Sequence, residues 1–309
     1  MIVIGGSAQR TETRKIQHFH RSNSFRSKIQ MSGEKHANDW SILPENVFKF
    51  MESRTASNSA VFLLPTIKEM RESNPHLKLL DVGAGVGSMS VEFAQLVGSE
   101  GYVTAVDVNP VVIPRGQALA EQRGVKNITF ETASGHKLPY EDETFDIVHC
   151  HQVLTHNMDP WDILREMIRV TKPGGVIAAR EGDLDTEVIW PPIPGVLKFH
   201  HDFEIKIITD RGGHRDAGRQ LLSWAMRAGA KRDQITTSFS TWTYTEPEDR
   251  MLWASGMIGI ALGPNLRESN IKAGVPAADM DEMREGWAEW MKLDNAVLAM
   301  LHGDVIIRK

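Results

Sequence analysis

The stretch LLDVGAGVGSMS, residues 79–90, combines a buried strand pattern with a dense group of glycines. An apolar run leads to Asp81, and Gly83, Gly85 and Gly87 follow at two-residue spacing before a helical pattern begins. Glycine adopts backbone conformations that other residues avoid, and it lets another molecule approach the main chain. A glycine-rich turn between a strand and a helix therefore predicts a ligand lying against the main chain.

The surrounding sequence predicts strands that alternate with helices of 10–15 residues. Five strand-like runs occupy residues 76–83, 101–109, 127–133, 144–152 and 176–183. The helix after the fourth run, residues 159–175, has Asp159 as its expected N-cap and Pro-Gly-Gly as its expected stop. Such alternation predicts an α/β fold with a doubly wound, mostly parallel sheet, here of seven strands. Ligands bind such sheets at the carboxyl ends of the strands.

The predicted organisation is a leader over residues 1–35 and a single domain over residues 36–309. Within the domain we expect N-terminal cap helices at 44–71, a ligand-binding core at 76–183, a helical cap with one strand at 184–300 and an edge strand at 303–309. The first 30 residues carry six basic residues and one acidic residue, although the whole chain has a net charge of -5. A mitochondrial transit peptide is one interpretation. A disordered leader, or translation from Met31, is the favoured one, and we expect a cytoplasmic protein.

Composition excludes several classes of protein. The net charge of -5 gives no basic footprint for a nucleic acid. The single cysteine, Cys150, excludes an internal disulfide and a metal site built from cysteines. No run reaches the roughly 18 apolar residues of a membrane-spanning helix. We therefore expect neither a membrane span nor a nucleic-acid partner, and assembly into a homo-oligomer is left open.

The glycine pattern distinguishes two ligands. Dinucleotide-binding folds use G-x-G-x-x-G, but here Ser88 stands where the third glycine belongs. Asp81 would repel a pyrophosphate and suits an ammonium group, whereas Asp107 ends the second strand, where a carboxylate can accept two ribose hydroxyls. An amine and a ribose together favour S-adenosylmethionine (SAM) over NAD. An NAD-linked oxidoreductase is the alternative.

Residues 79–88, 103–109, 137–156 and 165–175 resemble class I SAM-dependent methyltransferases of the UbiE-like group. This group contains the ubiquinone and menaquinone biosynthesis C-methyltransferases and their relatives in secondary metabolism. The resemblance covers residues 79–176 closely, and it implies a SAM-dependent enzyme with an antiparallel strand, GDVIIRK, at the sheet edge. A SAM-binding regulatory subunit without catalysis is the other alternative.

The resemblance also implies roles in binding SAM. Asp81 would bind the methionine amino group, through water or main chain. Gly83 and Gly85 would let the main chain pass the methionyl and ribose groups. Asp107 would bind the ribose hydroxyls, and Val108 would lie against the adenine.

Further roles fall in the loops after the third and fourth strands. Relatives carry Asp or Asn before a small residue at the adenine edge, where this chain has Ser134 and Gly135. His151 falls where relatives place a residue close to the sulfonium, so it is either a cofactor contact or a general base. His156 is the second catalytic candidate, with capping of its loop as the alternative. Histidine suits proton transfer because it titrates near neutral pH.

Four residues are candidates for binding the substrate: Trp40 and Arg54 near the N-terminal helix, and Arg180 and Asp183 at the end of the fifth strand. The alternatives are a packing role for Trp40 and a surface ion-pair loop for Arg180 and Asp183. The histidines show no ligand spacing, so we expect no metal. Residues 151–154, HQVL, lack the Asn/Asp-Pro-Pro-aromatic run of methyltransferases that act on nucleic-acid amines. We expect a small, partly apolar acceptor such as a quinone, polyketide, terpenoid or alkaloid.

Overall fold

The computed structural model describes residues 44–272 and 274–309. The predicted leader and Trp40 lie outside the described residues. The strands are β1 (Lys78–Val82), β2 (Tyr102–Asp107), β3 (Ile128–Thr132), β4 (Phe145–His151), β5 (Thr171–Gly182), β6 (Val188–Trp190), β7 (Ile235–Tyr244) and β8 (Val297–Arg308).

The helices precede, separate and follow these strands. They are α1 (Glu45–Glu52), α2 (Ala56–Ser59), α3 (Leu64–Ser73), α4 (Ser88–Val97), α5 (Ile113–Gln122), α6 (Pro160–Val170), α7 (Pro194–Lys198), α8 (Ile205–Asp210), α9 (Ala217–Ala228), α10 (Pro247–Met257), α11 (Pro264–Lys272) and α12 (Ala277–Trp290). Short 3₁₀ turns occupy Leu154–His156, Leu184–Thr186 and Arg232–Gln234, and π-helical turns occupy Phe199–Glu204 and Ile258–Leu262. Among the described residues, no helix is long and apolar enough to cross a membrane.

The sheet has the order β3-β2-β1-β4-β5-β8, and β8 also pairs with β6 and β7. Strands β1 to β5 pair in parallel. This arrangement confirms the predicted doubly wound, mostly parallel sheet, with eight strands instead of seven. The extra strand is the short β6, which pairs with the first residues of β8. The described residues of the region 184–300 therefore contain β6, β7 and the first residues of β8, where one strand was predicted.

The prediction of an edge strand at 303–309 is wrong in length and in place. β8 begins at Val297, pairs antiparallel with β5 on one side and pairs with the whole of β7 on the other. Strand β7 is therefore the outer strand. The predicted helical run over 280–301 ends early, at Trp290. Residues 297–302 are rich in helix formers, but pairing with neighbouring strands overrides that intrinsic preference.

The end of α6 also differs from the prediction. The helix ends at Val170, and the Pro-Gly-Gly expected to stop it lies inside β5. The Thr171 hydroxyl donates to the Met167 carbonyl, and the amide of Thr144 donates to the Val170 carbonyl, so the terminal carbonyls are satisfied earlier. Asp159 stands at the N-cap, but its side chain makes no capping hydrogen bond.

Side chains alternate between the two faces of the sheet, and each face has its own helical layer. Leu79, Ile147 and Val176 pack under α3 and α4, whereas Leu80 and Val148 pack under α6 and α9. Helix α9, predicted as part of the cap, is therefore a layer of the sheet. It comes so close that a Cβ on Gly303 of β8 would lie 1.9 Å from the carbonyl oxygen of Gly218.

A second apolar cluster forms the cap. It joins α1, α7, α10 and α12 to the outer part of the sheet and buries four tryptophans: Trp242, Trp253, Trp287 and Trp290. The rings meet edge to face, with Phe50 of α1 lying 5.5 Å from Trp253 and Trp287 lying 5.5 Å from Trp290. The cap predicted within residues 184–300 is therefore aromatic, and it packs on Trp242 of β7 and on Leu298 and Met300 of β8.

Candidate active site

The glycine loop between β1 and α4 is shaped by three residues with positive φ. These angles are +73° at Gly83, +54° at Gly85 and +80° at Gly87. A Cβ would lie 2.3 Å from the Val153 side chain if added at Gly83, and 2.5 Å from Phe130 if added at Gly87. At Gly85 it would meet nothing within 4 Å. Gly83 and Gly87 are thus required by protein packing, whereas the space beside Gly85 is open to a ligand.

Asp107 lies beside that open space at the carboxyl end of β2. Its carboxylate accepts the Gly85 amide at 2.9 Å and the Asn109 amide at 2.8 Å. Burial raises the pKa of Asp107, which the backbone hydrogen bonds oppose. The next side chain, Val108, is 68% exposed. An acid and an accessible apolar side chain therefore lie together where a ribose and a base were predicted.

Ser134 and Gly135 follow β3 at the same end of the sheet, and both are half-buried. The Ser134 hydroxyl accepts the His136 amide at 3.3 Å. A Cβ on Gly135 would lie 3.1 Å from Val82 and 3.3 Å from Ile163, so this turn packs tightly against β1 and α6. The pair occupies the predicted position, and its contact with adenine stays a prediction.

Asp81 is buried and already has two protein partners. Ser90 of α4 donates to one carboxylate oxygen at 2.5 Å, and Nδ1 of His149 lies 2.8 Å from the other. The ring of His149 packs edge to face on Phe93, and its Nε2 has no hydrogen-bond partner. His149 is therefore held inside the sheet. The role of Asp81 toward the methionine amino group stays a prediction.

A row of polar side chains crosses one face of the sheet at its carboxyl end. Side chains two residues apart on a strand lie on the same face of the sheet, so pairing of the strands brings these polar side chains together on one face. We call it the polar row, and it comprises Asp81, His149, His151, Arg180, Asp304, His302 and Ser240. Below the row the same face carries the apolar residues under α3 and α4.

His151 lies in the middle of the polar row. Nη1 of Arg180 lies 3.2 Å from its Nε2, and its ring centroid lies 5.5 Å from that of Trp242. Burial, then the positive charges of Arg54 and Arg180, hold the pKa of His151 well below its usual range. The guanidinium donates to Nε2, so His151 is neutral and this nitrogen is occupied. The geometry favours positioning or contact over proton abstraction.

His156 ends the 3₁₀ turn after β4. Its side chain is reached by solvent and makes no hydrogen bond to a described residue. Desolvation of the ring by neighbouring protein atoms, then the positive charges of Arg54 and Arg211, lower the pKa of His156. The turn is fixed by Glu181, whose carboxylate accepts the amides of the three residues Val153–Thr155 at 2.8–3.2 Å. His156 is thus an accessible but weak base.

Arg54 follows α1 and extends over the polar row. Its guanidinium carbon lies 4.8 Å from the ring centroid of Phe50 and 5.0 Å from that of Trp242. The carbonyl oxygen of Arg54 accepts the Ser88 hydroxyl at 2.6 Å, which ties this corner to the start of α4. The structure therefore brings Arg54 together with His151 and Arg180 around Trp242, and the contact of Arg54 with a substrate stays a prediction.

Arg180 and Asp183 separate in the structure. Nε of Arg180 lies 3.0 Å from Ser240 and 3.2 Å from Asp304, and both members of the Arg180–Asp304 ion pair are 2% exposed. Asp183 instead accepts two hydrogen bonds from Arg219 of α9, at 2.5 and 2.6 Å. Because both carboxylate oxygens of Asp183 accept hydrogen bonds from Arg219, Arg180 is the member of this pair that remains a candidate for binding the substrate.

One histidine–carboxylate group outside the polar row has metal-like chemistry. Nδ1 of His200 lies 3.4 Å from Glu187 and 3.3 Å from Glu204, and the ligand atoms of all three residues lie within 4.8 Å of one another. Burial opposes a charge on His200, but the hydrogen bond to Glu204 and the charge of Glu187 raise its pKa. Burial, then the charge of Glu204, raises the pKa of Glu187 to about 8, so the three side chains share protons and charge as one buried cluster, whose atoms are also spaced as metal ligands would be.

Several residues of the site were missed by sequence reasoning. Trp242 contacts Arg54, Arg180, His151 and His302, the last with ring centroids 4.2 Å apart. The alternating apolar and polar residues at 234–246 predict a strand, but they do not predict that this strand lies beside the polar row. The acid in GDVIIRK was a visible signal, because a carboxylate inside an apolar strand needs a partner.

Comparisons with known proteins agree with this geometry. A model of the methyltransferase domain matches residues 73–210. The uncharacterized methyltransferase C1B3.06c of Schizosaccharomyces pombe is 31% identical over 266 residues, which are 83% of this chain and 91% of the relative. UbiE, the ubiquinone/menaquinone biosynthesis C-methyltransferase of Idiomarina loihiensis, is 34% identical over 106 residues, 34% of this chain and 42% of the relative. A putative methyltransferase of Bacillus halodurans shares the fold, with a TM-score of 0.50 and 16% identity over 80% of this chain and 98% of the other.

The chain belongs to the class I SAM-dependent methyltransferases. This membership excludes the NAD-linked alternative and identifies the protein as an enzyme that uses SAM. The residues present fit that cofactor, because Gly85 leaves its side open, Asp107 retains lone pairs for hydroxyl groups and Val108 offers an apolar surface.

Proposed function

We propose that this methyltransferase acts on a small, partly apolar metabolite of the quinone, polyketide, terpenoid or alkaloid type. The proposal includes a cytoplasmic enzyme without a nucleic-acid partner. The observation that carries it is the juxtaposition of an aromatic wall with the polar row. Trp242 and Tyr244 of β7 lie 6.4 Å and 4.6 Å from the ring of Trp253, and Phe50 completes the wall. Phe50 and Trp253 are buried within the cap cluster and Trp242 is 7% exposed, so the proposal places the apolar part of the acceptor on the side of this cluster that faces the polar row, which suits a ring or chain with few polar groups.

In this account the residues of the chain position the two reactants. Bound SAM would supply an electrophilic methyl group, whose bond to sulfur breaks with the electron pair staying on sulfur as the acceptor lone pair forms the new bond. Asp107, Gly85 and Val108 would hold the adenosyl part. The aromatic wall would orient the acceptor and exclude water, which supports an in-line displacement.

The test is formation of S-adenosylhomocysteine (SAH) with a panel of candidate acceptors. The panel contains quinones, phenols, polyketide acids and alkaloid amines, with transfer RNA and a protein mixture as comparison substrates. We expect turnover with at least one small-molecule class. Methylation of the transfer RNA or protein mixture alone would contradict the proposal.

A variant at Asp107 links that turnover to the site. Asp107→Ala removes a charged acceptor of hydrogen bonds, each contributing about 1.5–3 kcal/mol, so the affinity for SAM should fall at least tenfold. Asp233→Ala, at an exposed acid on a remote turn, is the matched control and should bind SAM like the parent. Calorimetric titration with SAM measures both. Unchanged affinity in Asp107→Ala would remove Asp107 from the site.

A further inference from the structure

Arg54 is a cation for which the described residues provide no anion. Its Nε is buried without a hydrogen-bond partner, and no described carboxylate lies within 4.0 Å of its guanidinium. The rings of Phe50 and Trp242 favour a positive charge but accept no hydrogen bonds in the guanidinium plane. Arg54 is half-buried, and a charge withdrawn from water in this way is costly unless it is paired.

The groups around Arg54 leave this charge uncompensated. Arg180 is a second cation on Trp242, and its guanidinium carbon lies 5.1 Å from the centroid of the Trp242 ring. The nearby carboxylate of the polar row, Asp304, forms its ion pair with Arg180. His151 is neutral, and burial, opposed by the charges of Arg54 and Arg180, raises the pKa of Tyr244, so its hydroxyl stays protonated. Asp249 and Glu187 also act on Tyr244, but neither forms an ion pair with Arg54, so the guanidinium of Arg54 stays unpaired among the described residues.

Among the residues that the structure describes, the histidines beside Arg54 offer no strong base. Nε2 of His151 is occupied by Arg180, and His156 is a weak base. The site can therefore do little to deprotonate a weakly acidic acceptor. An acceptor that arrives as an anion needs no such base, and the positive charge stabilises it.

We propose that the acceptor is an organic anion, a carboxylate, phenolate or enolate, whose oxygen binds the guanidinium of Arg54 while its apolar body packs on Trp242. This inference rests on the proposed function, since it names the acceptor class for the same site. A guanidinium binds oxygen anions through parallel hydrogen bonds, which gives orientation as well as affinity. A cationic amine acceptor is disfavoured by the same charge.

The experiment compares two probes of the same shape on the SAH-loaded protein. 2-Naphthoate carries the anion, and 2-naphthamide is its neutral counterpart. Binding of each is measured by calorimetric titration, in the parent chain, in Arg54→Met and in Arg123→Met. Arg123 is an exposed arginine at the end of α5, and its variant is the control for loss of one positive charge.

We expect the parent and Arg123→Met to bind 2-naphthoate at least tenfold more tightly than 2-naphthamide. Arg54→Met should lose that preference and bind SAH within twofold of the parent. No preference in the parent, whether both probes bind equally or neither binds, would overturn the proposal, as would a preference that persists in Arg54→Met. Failure of SAH itself to bind the parent would instead reject the proposed function.

Discussion

The two ends of the active site are built from contacts of different range along the chain. In the cofactor half, most contacts are short in sequence: Ser90 reaches Asp81 over 9 residues and the Gly85 amide reaches Asp107 over 22, with the His149–Asp81 contact, over 68 residues, as the exception. In the acceptor half, contacts join residues far apart, such as Arg180 with Ser240 over 60 residues and Gln152 with His302 over 150. We define the cofactor half as the glycine loop with Asp81, Asp107 and Val108, and the acceptor half as Arg54, His151, Arg180, Trp242, His302 and Asp304.

The difference shows why one half is recognisable from sequence and the other is not. A strand, a glycine turn and a helix place the cofactor groups through local geometry, so short motifs describe them. The acceptor groups meet only after β7 and β8 have joined the sheet and α1 has folded over it. A cap of this kind can change its acceptor without changing the motifs of the cofactor half.

The largest expected effect tests whether long-range pairs hold the acceptor half together. Asp304→Asn leaves the guanidinium of Arg180 buried without its carboxylate, and breaking such a pair costs about 3 kcal/mol or more. Urea unfolding measures this loss. Asp162→Asn, which breaks the half-exposed Asp162–Arg165 pair, is the control and should cost less than about 1 kcal/mol. Equal losses in the two variants would contradict the comparison.

A smaller effect depends on pH and concerns His302. Nδ1 of His302 donates to the Met300 carbonyl, Nε2 accepts from Gln152, and burial followed by the charge of Arg180 lowers its pKa to about 2. Below pH 6.5 the unfolded chain binds a proton at His302 that the folded chain does not bind. The free energy of unfolding therefore falls by about 1.4 kcal/mol for each pH unit below 6.5.

The variant His302→Gln isolates this contribution. It should be less stable than the parent at pH 7, and the difference should shrink by about 2 kcal/mol at pH 5, because the variant lacks the titrating group. Urea unfolding at the two pH values measures the change. A difference that is constant between pH 7 and pH 5 would show that His302 titrates alike in both states.

The third effect concerns ligand affinity in the cofactor half. Gly85 and Gly124 both have positive φ and both leave the Cβ side open. An alanine at either should cost about 1–2 kcal/mol of stability because of the backbone strain. Only Gly85→Ala should also weaken SAH, by tenfold or more, since its methyl group enters the ligand space. Equal affinity for SAH in the two variants would mean that the ligand does not approach Gly85.

The parallel core was predictable because its strands and helices carry strong periodicity and glycine stops. The end of α6 was not predictable, because the Pro-Gly-Gly that was expected to stop the helix lies inside β5. The length of β8 was not predictable either, because VLAMLH at 297–302 has the composition of a helix and forms a strand only through pairing with its neighbours. Intrinsic preference loses to pairing there.

Among the candidate site residues, the glycines, Asp107 and Val108 were predictable from a motif, Arg180 from its charge at the end of the fifth strand, and Arg54 from its charge near the N-terminal helix. Trp242 and His302 were missed, because only the tertiary pairing of β7 and β8 brings them to the polar row. The partner of Asp183 could not be predicted from the sequence either, since Arg219 contacts Asp183 only because α9 packs closely on β8.

The most direct measurement of the central claim is the stabilisation of three proteins by SAH, with NADH as the comparison ligand. SAH at 100 times its dissociation constant for the parent should stabilise the parent and Arg54→Met by about 2.7 kcal/mol each. Gly85→Ala should gain about half as much at the same concentration, and NADH should stabilise none of the three. Stabilisation by NADH alone, or a loss of the SAH effect in Arg54→Met with retention in Gly85→Ala, would contradict the division into a cofactor half and an acceptor half.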